Sequence, residues 1–228
     1  MKKLLFIGLF ILLTSNINSG VEKEIPKPKT TLDLIKEQHY KLKDILDKQL
    51  EGDIYLVQHK LYNKISFNDK LKIYSYCDSL NIENPVWLYK SIFRESRFNH
   101  KAVNKLSLAT GLIQWIPSTA IILNMVDISD TTFKTLLDRN IYISEQIKEI
   151  SFSEQLDYIY KYYKPICKKY NLKSHRDVYL AVLSPISLKK QNNYVLGNKE
   201  SKIYIQNSYL DLNKDNTITV QEVRSYCM

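Results

Sequence analysis

Apolar residues recur at helical spacing through most of the chain. Between Leu32 and Leu50 they are separated by charged residues, and this pattern predicts an amphipathic helix. We expect that helix to pack on the main domain, with self-association or a partner helix as the alternative. The other segments with helical patterning are Ser66 to Leu80, Pro85 to Ser96, Pro117 to Leu123, Thr132 to Leu137, Ser153 to Tyr170 and Asp177 to Leu183. The sequence shows no run of alternating strands and no internal repeat, so the predicted fold class is mainly α.

The helix predicted from Pro85 carries a carboxylate on its apolar face. Asn84 and Pro85 supply an N-cap and a first-turn proline. Leu88, Ile92 and Glu95 follow at helical spacing and therefore share one face. Partial burial would disfavour the charged form of Glu95, raise its pKa and make it a proton donor near neutral pH. The alternative is a surface carboxylate near a helix end, paired with a neighbouring arginine.

The first 20 residues have the three-part pattern of a secretory signal peptide. A basic start of residues 1–3 is followed by the apolar run 4–13 and by small polar residues up to position 20. The apolar run is too short to span a bilayer as a helix. The cleavage site is weak, so retention as an uncleaved anchor is the alternative. We expect an exported protein of the periplasm, cell envelope or extracellular space, without a transmembrane span after the signal is removed.

Composition narrows the partners and cofactors. The chain of 228 residues has 33 Lys and Arg against 24 Asp and Glu, a net charge of +9. Loss of Lys2 and Lys3 with the signal would leave 9 − 2 = +7. This charge favours a polyanionic partner, but the sequence has no nucleic-acid-binding signature, and no nucleic-acid partner is expected. The three cysteines are too few and wrongly spaced for a disulfide framework or a zinc site.

Two motifs near Glu95 agree in order and spacing with a known family. Residues 95–99 read Glu-Ser-Arg-Phe-Asn, and residues 109–120 read Ala-Thr-Gly-Leu-Ile-Gln-Trp-Ile-Pro-Ser-Thr-Ala. This part of the chain resembles the SLT-type lytic transglycosylases of the lysozyme-like superfamily, in their Glu-Ser and Gly-Leu-Met-Gln motifs. The likeness is dense over residues 85–123 and thinner to about residue 185. It implies a lysozyme-like helical domain, which we place at residues 66–200 after a linker and helix at 21–65.

The chemistry of the residues in these motifs also suggests roles that do not depend on the resemblance. Gly111 allows a positive φ or close approach of a sugar to the backbone. The Gln114 amide suits an N-acetyl or hydroxyl group, and the Trp115 ring could face a sugar. The alternatives are a turn glycine, a capping amide and a core aromatic residue. With Ser96 of the Glu-Ser motif, these residues are the predicted substrate-binding set.

The resemblance implies that Glu95 is a single catalytic acid/base. It would protonate the glycosidic oxygen between N-acetylmuramic acid and N-acetylglucosamine in peptidoglycan. It would then accept the proton of the muramoyl C6 hydroxyl as that oxygen closes on C1, which gives a 1,6-anhydro product. A lysozyme-type hydrolase would need a second carboxylate, and the unplaced candidates are Asp127, Asp130, Asp138 and Asp157.

One element of the family pattern is missing downstream. The Ala-Tyr-Asn-Ala-Gly stretch, which usually brings a tyrosine close to the catalytic Glu, is absent. Its nearest counterpart is residues 177–185, Asp-Val-Tyr-Leu-Ala-Val-Leu-Ser-Pro, and we predict that Tyr179 bonds to Glu95 or to the N-acetyl group. The missing stretch also leaves open a catalytically inactive wall-binding or assembly protein on the same fold.

A second motif lies at the C-terminal end, in the segment 201–228. Residues 211–222 fit the 12-residue EF-hand calcium loop, with ligands expected from Asp211, Asn213, Asp215, the Thr217 carbonyl and Glu222. Position 6, usually Gly, is Asn216, a residue that tolerates a left-handed conformation. An ordinary acidic turn is the alternative. Since no second loop is present, we predict a structural Ca²⁺ site and not a sensor.

Overall fold

The computed structural model describes residues 29–129 and 131–226, and within these ranges the protein is mainly helical, as predicted. The helices are α1 (Thr31–Gln58), α2 (Phe67–Ser79), α3 (Pro85–Ser96), α4 (Pro117–Ile122), α5 (Leu136–Glu149), α6 (Phe152–Lys169), α7 (His175–Leu183), α8 (Lys202–Asn207) and α9 (Val220–Tyr226). Short 3₁₀ turns lie at Tyr62–Lys64, Pro185–Lys189 and Ser208–Leu210.

Helix α3 has the bounds that its sequence predicts. The side chain of Asn84 accepts a 2.8 Å hydrogen bond from the amide of Val86, and Pro85 occupies the first turn. The helix ends at Ser96 because Arg97 adopts a left-handed conformation with φ of 51°. Local signals at both ends therefore fix the helix that carries Glu95.

Helix α5 and two short strands differ from the sequence prediction, and helix α8 was not predicted. The helix expected over 132–137 is instead α5, because Thr135 and Asp138 form a capping box that starts a longer helix at Leu136. Two strands were not predicted: β1 (Val195–Asn198) pairs antiparallel with β2 (Thr217–Thr219). They are only four and three residues long, too short to show an alternating pattern.

The chain divides into two compact units, Met1–Lys41 and Leu42–Met228. The predicted helical domain and the C-terminal loop segment thus belong to one unit. The boundary falls inside α1, whose buried residues are Gly52, Tyr55 and Leu56.

The part of α1 in the second unit corrects the expected packing of the Leu32–Leu50 helix. Leu42, Ile45, Leu46 and Leu50 are 48–60% exposed. The contacts form beyond the predicted end, where the Tyr55 and Tyr89 rings stack at 6.4 Å. The packing surface of α1 is therefore its last two turns.

Two clusters of buried side chains form the core of the second unit. The larger gathers residues from α1 through α7 and includes Leu88, Ile92 and Trp115. The smaller joins Tyr179 and Leu180 of α7 to the loop and helix α9; its other members are Leu210, Ile218, Val220 and Val223. Helix α7 belongs to both clusters, so it links the helical body to the C-terminal segment.

The predicted signal segment, residues 1–20, lies outside the described residues, as do Asp130 and Cys227. In the described ranges, none of the helices has the length and apolar character needed to cross a membrane.

Candidate active site

Glu95 lies in the last turn of α3, partly buried on the side of the core. Burial raises its pKa from an ordinary 4.5 to about 7. A hydrogen bond from Tyr179 and the nearby charge of Arg94 act in the opposite direction and favour the carboxylate. The environment therefore holds Glu95 close to its titration point at neutral pH, which is the condition for both giving and taking a proton.

Tyr179 reaches Glu95 from α7, and a second tyrosine stands behind it. The Tyr179 side chain is 1% exposed and hydrogen-bonds to Glu95. Its hydroxyl also bonds to that of Tyr209, which lies just before the C-terminal loop. An ionised Glu95 can only accept a hydrogen bond, so in that state Tyr179 donates to Glu95. Tyr209 donates to Tyr179 only when its proton turns away from Oδ1 of Asn207, which lies 3.3 Å from the Tyr209 hydroxyl. A protonated Glu95 can instead donate to Tyr179, which then donates to Tyr209.

Arg94 ties the same helix to the C-terminal end of the described chain. Its Nη1 donates a 2.6 Å hydrogen bond to the carbonyl oxygen of Tyr226. The guanidinium carbon lies 4.0 Å from the centroid of the Tyr226 ring and 5.4 Å from that of Tyr179. This is a cation–π arrangement with a direct hydrogen bond, so the position of Arg94 is well determined.

A tight turn places the second motif against the end of α3. Thr110 and Trp115 exchange backbone hydrogen bonds of 3.0 and 2.8 Å, which closes residues 111–114 into a loop. Gly111 has a φ of +88°, as the turn interpretation predicts. A Cβ there would lie 2.4 Å from Oε1 of Gln155, so the close approach that requires glycine is made by a protein side chain.

Gln155 of α6 holds this loop from behind. Its Oε1 accepts a 2.9 Å hydrogen bond from the Leu112 amide. Its Nε2 lies 2.8, 3.1 and 3.2 Å from the carbonyl oxygens of His100, Ile147 and Ile150. The side chain is fully buried, and one amide thus joins three separate parts of the chain.

The predicted substrate-binding residues fall into different environments. Ser96 is 7% exposed, and its Oγ lies 2.9 Å from the Leu112 carbonyl oxygen, so it joins α3 to the loop. Gln114 has a positive φ of 53°, and its Nε2 donates to the carbonyls of Gly111 and Ala102 at 3.1 and 3.3 Å. These bonds use the amide nitrogen and leave the Gln114 oxygen as the acceptor for a ligand.

Trp115 corrects the sequence prediction of a sugar-facing ring. Only 2% of the residue is exposed, and the ring meets Tyr162 edge-on at 5.7 Å. The backbone pair with Thr110 turns the indole into the core. Trp115 therefore supports the loop and offers no face to a sugar.

The candidates for a second carboxylate have other partners. Asp157 binds Lys72 at 2.8 Å, and Tyr76 also donates to it. Asp138 caps α5, and Asp127 accepts from the Ser129 amide at 2.9 Å. Asp130 is outside the described residues. In the part of the chain that the structure describes, the influences on the Glu95 pKa include no second carboxylate.

The C-terminal loop has the backbone shape of its motif. Asn216 at position 6 has a φ of 68°, as its left-handed tendency predicts. Asp211 accepts from the amides of Asp215 and Asn216 at 3.1 and 3.0 Å, which draws the loop around its first residue. Ile218, at position 8 of the motif, pairs with Gly197, so β1 lies directly beside this loop.

The donor set of this loop suits a hard cation. Asp211 and Glu222 are 9% and 7% exposed, and both accept hydrogen bonds from neutral donors. In the described ranges, no cationic side chain forms an ion pair with them. Nor do the described residues contain a close group of three His, Cys, Asp or Glu side chains. The Glu222 carboxylate would have to turn from its amide donors towards a bound ion.

Tyr209 is the site residue that the sequence analysis missed. It lies 30 positions from Tyr179, and its neighbours in sequence form no motif with it. Its position follows from the smaller core cluster, which draws the 3₁₀ turn before the loop against α7. Only tertiary packing brings Tyr209 to Glu95, so no local signal could have identified it.

The structure thus brings Glu95, Tyr179 and Arg94 into one site, with the Gly111–Gln114 turn against the same helix end. The C-terminal loop, residues 211–222, follows Tyr209, whose hydroxyl is bonded to that of Tyr179. Comparison with known proteins gave no match to a family model, to a curated protein or to a solved structure.

Proposed function

We propose that the protein is an exported peptidoglycan-cleaving enzyme that acts on the β-1,4 bond between N-acetylmuramic acid and N-acetylglucosamine. The observation that carries this proposal is a single partly buried carboxyl group, Glu95, with a pKa near 7 and a tyrosine hydroxyl bonded to it. The resemblance of residues 95–99 and 109–120 to lytic transglycosylases indicates that the substrate is peptidoglycan.

The chemistry follows from one proton moving in two directions. Glu95 in its protonated form donates to the glycosidic oxygen as the bond to C1 breaks. The resulting carboxylate then accepts the proton of the muramoyl C6 hydroxyl while that oxygen bonds to C1. Arg94 and Tyr179 stabilise the carboxylate between the two steps. The product is a 1,6-anhydromuramoyl end, and Glu95 is again protonated.

In the part of the chain that the structure describes, no second carboxylate is among the influences on the Glu95 pKa, which favours this intramolecular route over hydrolysis. An inverting hydrolase requires a base that activates water opposite the acid, and a retaining one requires a carboxylate nucleophile. Asp127, Asp138 and Asp157 are bound elsewhere, which supports the lytic reaction. A lysozyme-type hydrolase and an inactive wall-binding protein remain the competing proposals.

Digestion of purified peptidoglycan by the full chain tests the proposal. Released muropeptides analysed by mass spectrometry should be lighter by one water than hydrolytic products. Glu95→Gln should release none, because the amide can neither give nor accept the required proton. Glu83→Gln, which changes an exposed carboxylate outside the site, is the matched control and should retain activity.

The other outcomes assign the competing functions. Hydrated products would establish a hydrolase and overturn the lytic reaction. Binding to the wall without release by the unaltered chain would identify a wall-binding protein and overturn the enzymatic proposal.

A further inference from the structure

A cationic cavity opens beside the proposed active site, on the other side of Arg94. It has a volume of about 350 Å³, large enough for a group the size of phosphate or of a peptide carboxylate. Its lining includes Lys90 and Arg94 of α3, Arg97 just after that helix, and the side chains of His59 and His175. Among the described residues that line the cavity, none is acidic.

Two of the three cations lie on α3, and the third directly follows it. Lys90 and Arg94 are spaced at i and i+4, which places like charges next to each other on the helix, and the left-handed Arg97 follows its last residue. Like charges this close repel each other, and a bound anion would compensate them. Within the described ranges, none of the three takes part in an ion pair with a carboxylate side chain.

Packing gives the lining a defined geometry. Arg94 is held by the Tyr226 carbonyl and ring, and the Arg97 guanidinium lies 5.2 Å from the Phe93 ring centroid. The His59 ring also packs on Phe93 at 4.8 Å. Contacts with aromatic rings therefore hold the Arg94 and Arg97 donors in place, as in a binding site and unlike a row of mobile surface lysines.

We propose that this cavity binds an anionic oxygen group, carboxylate or phosphate, through Lys90, Arg94 and Arg97. Arginine offers paired N–H donors to such a group, and lysine adds a compact charge. The cavity and Glu95 share the last two turns of α3. If the proposed function holds, the group is a carboxylate of the peptide that peptidoglycan carries on its muramic acid residues, and the cavity selects peptide-bearing strands.

Binding of inorganic phosphate to the full chain tests the cavity independently of any cleavage. At low ionic strength, the imidazole NMR signals of His59 and His175 should shift as phosphate is added. His100, which lies outside the cavity, should not shift and serves as an internal control. The same titration with Glu95→Gln should still show phosphate binding, with an affinity no lower than that of the unaltered chain, because the variant removes a negative charge near Arg94. Retained binding separates this proposal from the proposed function.

A pair of double variants distinguishes the cavity from overall charge. Lys90→Gln with Arg97→Gln removes two exposed lining cations and should weaken phosphate binding about tenfold or more. Lys164→Gln with Lys168→Gln removes two exposed cations from one face of α6 and should change the affinity less than about twofold. Equal losses in both double variants, or no shift of His59 and His175 with any anion, would overturn the proposal.

Two further ligands identify the source of the anion. Muramyl dipeptide with free carboxylates should bind more tightly than its carboxyl methyl ester if the peptide is the source. Phosphate binding with no difference between those two ligands would overturn the peptide assignment and leave phosphate as the source. A circular dichroism melt of each variant confirms that it is folded.

Discussion

The hydroxyl of Tyr179 is bonded to the carboxyl of Glu95. This bond lowers the pKa of Glu95, whereas burial raises it. Burial favours the neutral acid, while the hydrogen bond and Arg94 favour the carboxylate. Near pH 7 the two forms are therefore close in free energy. The acid/base role proposed for Glu95, in which the carboxyl changes its protonation twice in each cycle, needs this balance.

Tyr179→Phe should move the pH profile towards higher pH. Activity requires protonated Glu95 and should fall as the pH rises through about 7. Without the Tyr179 hydroxyl the carboxylate loses a donor, so the pKa of Glu95 rises and the alkaline limb shifts by up to about one pH unit. The initial rate of peptidoglycan digestion, measured from acidic to alkaline pH, gives the shift.

Tyr163→Phe is the control for this experiment. Its hydroxyl is buried in the same core but donates to the Val178 carbonyl at 2.9 Å. Loss of that hydroxyl should leave the limb in place. An unmoved limb in Tyr179→Phe would show that the bond does not set the acidity of Glu95.

Tyr209→Phe should also raise the pKa of Glu95, but by less than Tyr179→Phe does. When Glu95 is ionised, the Tyr209 hydroxyl can turn from Asn207 to donate to Tyr179, so its removal weakens the bond between Tyr179 and the carboxylate. Carboxyl ¹³C NMR of Glu95 in the full chain should show a rise of a few tenths of a pH unit. Tyr194→Phe, which changes an exposed tyrosine before the C-terminal segment, should cause none.

Glu95→Gln should change the pH dependence of folding stability. The folded-state pKa of about 7 is above the ordinary 4.5, so the folded protein holds an extra proton between these values. Its stability therefore falls as the pH rises through that window, and glutamine removes the effect. Relative to the unaltered chain, the variant should be about 2 kcal/mol more stable at alkaline than at mildly acidic pH.

Urea unfolding at the two pH values measures this difference. Glu83→Gln, at an exposed position, should give the same stability change at both. A constant offset for Glu95→Gln at both pH values would contradict the raised pKa.

Gly111→Ala should destabilise the protein by about 2 kcal/mol or more. The substitution places a Cβ 2.4 Å from Gln155 Oε1 and forces a side-chain-bearing residue to a φ of +88°. The urea midpoint should fall, and the amide signal of Leu112 should move as its bond to Gln155 is disturbed. Ser118→Ala, at an exposed position of α4, should leave both unchanged. A stable Gly111→Ala chain with an unmoved Leu112 signal would exclude this contact.

We predict that calcium binds the folded loop at residues 211–222 and therefore raises the melting temperature by several degrees at saturating concentration. Glu222→Gln removes the carboxylate expected to bind through both oxygens and should abolish the rise. Glu200→Gln, which changes an exposed acid just before the C-terminal segment, should retain it. Equal melting temperatures of the unaltered chain with and without calcium would exclude the metal site.

Helix α3 could be predicted from sequence because its signals are local. Asn84, Pro85 and the spacing of Leu88, Ile92 and Glu95 act within a few residues of each other, and the observed bounds match them. The same holds for the turn at Gly111, where the backbone conformation itself requires glycine.

Features that depend on distant contacts could not be predicted in this way. The Trp115 side chain could have pointed outwards or inwards, and the backbone pair with Thr110 decides between them. Strand β1 exists because β2 lies beside it. The partner of Tyr209 lies on another helix, so its role follows from packing alone.

Gln155 shows how hydrogen bonds to the backbone can restrict which residue type a position tolerates. Its amide meets one backbone N–H with its oxygen and three carbonyls with its nitrogen. Glutamate would keep the shape but set a second oxygen against those carbonyls, and leucine would remove all of these hydrogen bonds. Sequences that share this loop can therefore vary around position 155 but have almost no substitute for glutamine at it.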